Sequence, residues 1–199
     1  EHGIIVQQPE DEISAINMAI GASVAGAKAM TGSAGGGFSL MVEGLSLAGM
    51  TETPLVLCVG MRPGPATGMA TRTAQADLLF AIYAGHGEFP RAVLTPADAG
   101  QAFRAAQDAF RIAEKYQTPV IILFDQCMAD SLWTVERNEL RVDNRQGRQE
   151  RQEAKGKGEM ANDTSGRMNR QERQVPEGMQ PYGYRRYEVG EGGVSPMVL

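Results

Sequence analysis

The chain has 199 residues, a net charge of −5, and 42% hydrophobic against 22% charged residues. This length can bury the core of one globular domain, and the acidic balance argues against a general nucleic-acid binder, which would normally present a basic face. No apolar stretch approaches the roughly 20 residues that span a bilayer. We expect a cytoplasmic protein. The chain begins at Glu1 rather than Met, and we expect it to be part of a longer product.

Strands and helices alternate over the first 136 residues. The apolar run at 3–7 predicts a strand, and the apolar spacing over 10–30 predicts a helix whose first turn is acidic. Residues 38–50 are almost wholly apolar, which predicts a buried helix. The continuous apolar run at 55–59 is typical of a parallel strand covered on both faces.

The same alternation continues after a loop rich in Gly, Pro and Thr at 61–73. The predicted elements are a helix at 74–84, a strand at 92–94, an amphipathic helix at 98–116 and a strand at 119–124. This order predicts an α/β fold, in which helices cover a parallel sheet.

The two cysteines, Cys58 and Cys127, lie in or beside the apolar strand-like runs. We expect both thiols to be buried, which fits a reducing compartment better than a disulfide scaffold. The chain has no Cys-x-x-Cys pair, so we expect it to hold neither an iron–sulfur cluster nor a four-cysteine zinc site by itself.

The glycine cluster Gly35–Gly37 lies just before the second predicted helix. It fails the dinucleotide fingerprint G-x-G-x-x-G, because Leu40 stands where the third glycine is needed. Gly21 and Gly26 have phosphate-loop spacing, but Ala27 follows them instead of Lys. The residues therefore leave two alternatives: a tight turn without a ligand, or backbone against which a ligand ring or a partner chain packs.

The loop at 61–73 follows the carboxyl end of a predicted strand, where open parallel sheets bind ligands. It places Arg62 near Thr67 and Thr71, and a guanidinium beside hydroxyls suits a carboxylate or a phosphate. An ordinary ion pair within the loop is an equally good interpretation of Arg62.

His86 lies between two glycines, and a local hydrogen bond in a loop is a better interpretation of it than catalysis.

Three of these segments, in this order, resemble the alpha subunit of the 2-oxoacid:ferredoxin oxidoreductases, and within it the domain that binds the pyrimidine half of thiamine diphosphate. They are EDEISAINMAIGASVAGAKAMTGSAGGGFSLMVEGLSLAGMTETPLV, RPGPATGMATRTAQADLL and YAGHGEFPRAVLTP. The resemblance covers about 3–130 and resumes at 184–196. It implies a parallel-sheet, helix-covered pyrimidine-domain fold that here lacks the family's first strand and loop.

The resemblance implies thiamine-dependent oxidative decarboxylation of a 2-oxoacid, with 2-oxoglutarate favoured, to acyl-CoA and CO₂ with electrons passed to ferredoxin. The family's diphosphate-binding Gly-Asp-Gly motif is absent from this chain. The resemblance therefore implies a beta subunit that shares the thiamine diphosphate and carries Mg²⁺ and a 4Fe–4S cluster, and it allows a gamma subunit or domain. We expect this chain to be inactive alone. The alternatives are a non-catalytic assembly subunit of the same fold and a generic nucleotide-binding domain, whose fingerprints fail here.

The resemblance also assigns site residues. Glu12 corresponds to the acid beside the aminopyrimidine ring, as a catalytic and cofactor-binding residue, although a helix-decorating acid is the alternative. Arg62 corresponds to the arginine that faces the substrate carboxylate, with Thr67 and Thr71 at hydroxyl positions of the same loop. Gly35, Gly36 and Gly37 would let the pyrimidine ring and the partner subunit pack against backbone. Small departures from the family motifs leave the acid open among 2-oxoglutarate, pyruvate and a branched-chain relative.

The character of the chain changes after Glu136. Between 137 and 174, 17 of 38 residues are charged and large apolar residues are almost absent, so no core can form there. We predict a pyrimidine-binding domain at 1–136, a charged flexible linker or insertion at 137–181, and the start of a connection to a next domain at 182–199.

Overall fold

A computed structural model of the chain describes residues 4–137 and 140, together with the backbone of 189–190 and 193–194. The helices are α1 Glu12–Val24, α2 Gly35–Met50, α3 Leu78–Tyr83, α4 Ala99–Tyr116 and α5 Gln126–Asp130. The strands are β1 Met30–Ala34, β2 Leu55–Met61, β3 Ala92–Leu94, β4 Pro119–Asp125, β5 Val189–Gly190 and β6 Gly193–Val194. The predicted linker at 137–181 and the predicted connection at 182–199 lie almost wholly outside the described residues.

The first four strands form one parallel sheet in the order β1-β2-β4-β3, and β5 pairs with β6 in a short antiparallel hairpin. The two central strands of the parallel sheet, β2 and β4, are buried along most of their length. Their continuous apolar runs are what a strand covered on both faces requires. The predicted α/β class with a helix-covered parallel sheet is therefore confirmed.

The core lies on both faces of this sheet, because successive side chains of a strand point to opposite sides. Leu57 and Ile121 pack with α1 and α2 on one face. Their neighbours Val56 and Val120 pack with α4 on the other face. This arrangement leaves the carboxyl ends of β1 and β2 next to the first turns of α1 and α2.

Two predictions at the start of the chain are wrong. Residues 4–8 form no strand, and Ile4, Ile5 and Val6 are 79%, 91% and 88% exposed. An extended apolar run becomes a strand only where a neighbouring strand satisfies its backbone groups, and no described strand pairs with this one. The first helix ends at Val24 instead of residue 30, because Gly26 takes a φ of +92°, which terminates helices.

One strand, two helix starts and one thiol differ from expectation. The unpredicted strand β1 precedes α2, and Gly35–Gly37 form the first turn of α2 rather than a turn before it. The third predicted helix begins at Leu78 rather than at residue 74. Both cysteines are free, but only Cys58 is partly buried, whereas Cys127 is exposed. Burial raises the pKa of the Cys58 thiol.

Helices α1 and α2 pack closely at Gly44, where an added β-carbon would lie 2.7 Å from Ile16 Cγ2. We expect Gly44→Ala to lower the free energy of unfolding by about 1–3 kcal/mol, because the extra carbon overpacks the contact. Gly21→Ala is the matched control in α1, since nothing lies within 4 Å of its added carbon. It should raise the stability by about 0.5–1 kcal/mol through helix propensity. Denaturant titration of the purified protein measures both, and equal stabilities for the two variants would contradict this packing.

Candidate active site

A cavity of about 460 Å³ lies where β1 and β2 end. Its walls are the first turn of α2, the starts of α1 and α3, and residues 62–67 of the loop after β2. The carboxyl ends of parallel strands are the usual ligand-binding edge of such a sheet. Four distant chain segments therefore meet at the position where a ligand is expected.

The cavity collects most of the site residues that the sequence predicts. Glu12, Gly35–Gly37, Arg62 and Thr67 all line it. Thr71 does not, because it lines a second hollow of about 400 Å³ beside the end of β4. The predicted substrate role of Thr71 therefore has no geometric support from this arrangement.

Glu12 does not cap α1, because the residue before it, Asp11, does so. The carboxylate of Glu12 can therefore face the cavity. The carboxylate of Asp11 accepts a hydrogen bond from Ser14 N at 2.7 Å, and this bond lowers the pKa of Asp11. That contribution to α1 is present above the ordinary pKa of 3.8 and is lost as the pH falls through the lowered native pKa. Glu12 instead turns towards β1, where its Oε1 accepts a hydrogen bond from Ser33 Oγ at 3.0 Å.

Gly37 makes room for this carboxylate. A β-carbon at Gly37 would overlap Ser33 Oγ and Glu12 Oε1, and would lie 2.8 Å from Glu12 Cδ. Real β-carbons essentially never approach other atoms this closely. The last glycine of the cluster is therefore required by the hydrogen-bonded pair of Glu12 and Ser33.

The other two glycines each face a side chain from another element. A β-carbon at Gly36 would lie 3.0 Å from Arg62 Nη2, and one at Gly35 would lie 2.9 Å from Asp77 Oδ2. The cluster thus admits one cation and two carboxylates close to the α2 backbone. The residue before α2, Ala34, makes no side-chain cap. These carboxylates therefore supply the negative charge near the positive end of the α2 dipole.

Arg62 presents an unsatisfied donor. Its Nε is buried and has no hydrogen-bond partner among the described residues. Its loop is held in a compact turn, in which Met69 N donates to Pro63 O at 3.1 Å. A buried guanidinium nitrogen without a partner is uncommon in native proteins, and carboxylates and phosphates are the groups that a guanidinium binds most strongly. The cavity therefore suits an anionic ligand at Arg62.

Sequence reasoning missed Asp77, which lines the same cavity. The helix predicted from residue 74 placed Asp77 inside a helix, although an Asp directly before Leu78 is a typical helix start. His86 lies outside this cavity, and its backbone N–H donates to Ser46 Oγ at 2.9 Å. This bond joins the main chain of His86 to α2 and does not involve the imidazole, whose predicted loop role it leaves untested.

Nowhere in 4–137 and 140 do three His, Cys, Asp or Glu side chains come together as a metal site would need. In the same residues no helix combines the length and the apolar character needed to cross a membrane.

Comparison with known proteins gives consistent results. Residues 2–190 match the family described as pyruvate flavodoxin/ferredoxin oxidoreductase, thiamine diphosphate-binding. The chain is 55% identical to 2-oxoacid:ferredoxin oxidoreductase 1, subunit alpha, of Sulfurisphaera tokodaii over 140 residues, which are 70% of this chain and 22% of that protein. It is 47% identical over 124 residues to the 2-oxoglutarate synthase subunit KorA of Archaeoglobus fulgidus, covering 62% of this chain and 36% of that protein.

A solved structure shares the fold. It is a 2-oxoglutarate:ferredoxin oxidoreductase from Magnetococcus marinus with 2-oxoglutarate, coenzyme A and succinyl-CoA bound. The identity is 34% and the TM-score is 0.67, over 98% of this chain and 30% of that chain. The present chain thus spans between about a fifth and about a third of the length of these relatives.

Proposed function

This chain belongs to the pyruvate flavodoxin/ferredoxin oxidoreductase family, of which it carries the thiamine diphosphate-binding domain, and we propose that it is the alpha-subunit portion of a 2-oxoacid:ferredoxin oxidoreductase. The proposed reaction converts a 2-oxoacid and coenzyme A into acyl-CoA and CO₂, with the electrons passing to ferredoxin. We favour 2-oxoglutarate, because one relative is named for it and the solved relative contains it.

One observation carries this proposal: Glu12, the three glycines and Arg62 line a single cavity. The arrangement fits the pyrimidine half of thiamine diphosphate. The glycine cluster offers backbone without side chains, Phe80 and Leu40 add apolar wall, and Glu12 adds a carboxylate. Bound thiamine diphosphate supplies the carbon nucleophile and the electron sink for decarboxylation.

Glu12 is proposed to hydrogen-bond a ring nitrogen of the pyrimidine and to exchange a proton there. The carboxylate is held in place, because Ser33 Oγ donates to its Oε1. A positioned carboxylate in hydrogen-bond reach of a heteroaromatic nitrogen is a suitable general acid–base group. Ser33 and Gly37 act through Glu12, the first by orienting it and the second by leaving it space.

Arg62 is proposed to bind the carboxylate of the 2-oxoacid, with Thr67 at the same wall of the cavity. We propose that the diphosphate, Mg²⁺ and the 4Fe–4S cluster are held by a beta subunit, as the resemblance to the family implies. A gamma subunit or domain, ferredoxin and coenzyme A complete the proposed assembly, in which this chain alone is inactive.

Replacing Arg62 with Ala should raise the KM for the 2-oxoacid by about 10- to 100-fold, the usual effect of losing a hydrogen bond to a charged group. Arg72→Ala is the matched control, because Arg72 belongs to the same loop but lines the second hollow. Its KM should stay close to that of the wild type. Steady-state kinetics at saturating coenzyme A measure both values, and a larger effect from Arg72 than from Arg62 would move the substrate to the second hollow.

The proposed function is tested on the complex co-expressed with its neighbouring subunits under anaerobic conditions. Viologen reduction is followed with thiamine diphosphate, coenzyme A and a panel of 2-oxoglutarate, pyruvate and branched-chain 2-oxoacids. We expect coenzyme A-dependent reduction that is fastest with 2-oxoglutarate. No reduction with any acid, from a complex whose clusters are intact, would instead identify a non-catalytic assembly subunit.

A further inference from the structure

Asp77 stands at a helix start without capping the helix. It is the residue before α3, where an aspartate normally accepts a hydrogen bond from a first-turn N–H. Its side chain makes no such bond. Asp11, Asp98 and Asp125, which precede α1, α4 and α5, all make it. The local structure of α3 therefore does not account for the orientation of Asp77.

The carboxylate of Asp77 is directed towards the cavity instead. It lines the cavity wall and lies against Gly35 at the start of α2, where a β-carbon would be 2.9 Å from Oδ2 and 3.2 Å from Oδ1. The same Oδ2 accepts a hydrogen bond from the backbone N–H of Arg62 at 3.4 Å. Asp77 thus joins the loop after β2 to the starts of α2 and α3.

The contact leaves the cation of Arg62 available. Among residues 4–137 and 140, the Arg62 guanidinium has no carboxylate within ion-pair distance and its Nε has no hydrogen-bond partner. Asp77 therefore holds the main chain of Arg62 without neutralising its side chain. A tether of this kind fixes where a charged group stands while keeping it free for a ligand.

We propose that Asp77 is a positioning residue, which holds Arg62 in place for the carboxylate of the 2-oxoacid. The identity of the ligand rests on the proposed function. The hydrogen bond between Asp77 and the backbone of Arg62 does not. A matched control exists in the same loop, since Gln75 Nε2 donates to Asp125 Oδ2 at 2.9 Å and Gln75 lies outside the cavity. Gln75→Ala removes a comparable loop contact on the side away from Arg62.

The tether is tested first without turnover. The assembled complex and its Asp77→Ala, Asp77→Asn and Gln75→Ala variants are treated with phenylglyoxal, and the modification of Arg62 is followed by peptide mass spectrometry. Asp77→Ala should modify Arg62 roughly three- to tenfold faster, the factor expected when one hydrogen bond is lost. Asp77→Asn keeps an acceptor oxygen and should match the wild type, as should Gln75→Ala. An unchanged rate in Asp77→Ala would overturn the proposal, whatever reaction the complex catalyses.

Kinetics then test the consequence for the substrate. Asp77→Ala should raise the KM for the 2-oxoacid roughly three- to tenfold with kcat close to the wild-type value, because the lost hydrogen bond affects binding of the acid. Asp77→Asn should restore the KM. A fall in kcat at unchanged KM would overturn the positioning role and place Asp77 in the chemistry. A wild-type complex without turnover would contradict the proposed function, whereas the reactivity of Arg62 would still decide on the tether.

Discussion

Replacing Glu12 with Gln should lower turnover of the assembled complex by at least about 100-fold, the lower end of what a general acid–base group contributes. Glutamine keeps the size of the side chain, and its oxygen can still accept the hydrogen bond from Ser33 Oγ. It cannot exchange a proton at a ring nitrogen. The loss should therefore appear in kcat, while the complex assembles and binds the 2-oxoacid normally.

Glu10→Gln is the matched control, because Glu10 lies two residues earlier, is exposed and does not line the cavity. Its turnover should equal that of the wild type. Equal turnover in Glu12→Gln and Glu10→Gln would remove Glu12 from the reaction. It would leave the acid at the start of α1 as a helix-decorating residue.

Gly37→Ala should cause a loss of similar size, at least about 100-fold, because the added carbon occupies the place of the Glu12 carboxylate. The atoms that it would overlap are the ends of the Ser33 and Glu12 side chains, which can move. We therefore expect the fold to survive and Glu12 to be displaced. Viologen reduction and thermal unfolding, measured on the same preparation, separate the two effects.

Gly36→Ala tests the neighbouring glycine, whose substitution should affect Arg62 instead of Glu12. Its added carbon would meet Arg62 Nη2 at 3.0 Å, so the disturbance falls on the cation and not on the acid. We expect a rise of roughly two- to tenfold in the KM for the 2-oxoacid, as for a weakened hydrogen bond, with kcat near the wild-type value. A Gly37→Ala complex with full turnover would show that the close approach of Gly37 and Glu12 has no catalytic role.

The elements with strong apolar patterns could be predicted from the sequence, and those that depend on close backbone contacts could not. Strand β3 and helix α4 match their predicted ranges to within one residue. Strand β1, with the sequence MTGSA, lacks the β-branched and aromatic pattern of a strand. The glycine in this strand is explained by its close pairing with β2, because a β-carbon at Gly32 would be 2.8 Å from Cys58 O. The run at 3–7 is the opposite case: its residues are typical of a strand, but no described strand pairs with it.

The site residues likewise fall into two groups: those whose positions could be predicted from the sequence and those whose positions could not. The glycine cluster and Arg62 follow strand ends, and Glu12 stands at a helix start, so their positions could be inferred from the order of elements. Asp77 could not, because its role depends on which way a helix-start carboxylate turns. Thr71 is predicted as a site residue because it lies in the same loop as Arg62. That loop extends between two separate hollows, and Thr71 lines the second one. Composition cannot show where such a loop divides.

The central claim is that the carboxylate of Glu12 activates bound thiamine diphosphate, whose C2 would be the carbon nucleophile. Exchange of the C2 hydrogen for deuterium measures this activation most directly. The exchange is followed by quenched-flow NMR on the assembled complex, without 2-oxoacid, coenzyme A or ferredoxin. We predict exchange in the wild type and in Glu10→Gln that is at least about 100-fold faster than in Glu12→Gln. Equal rates in all three complexes, each saturated with thiamine diphosphate, would contradict the claim.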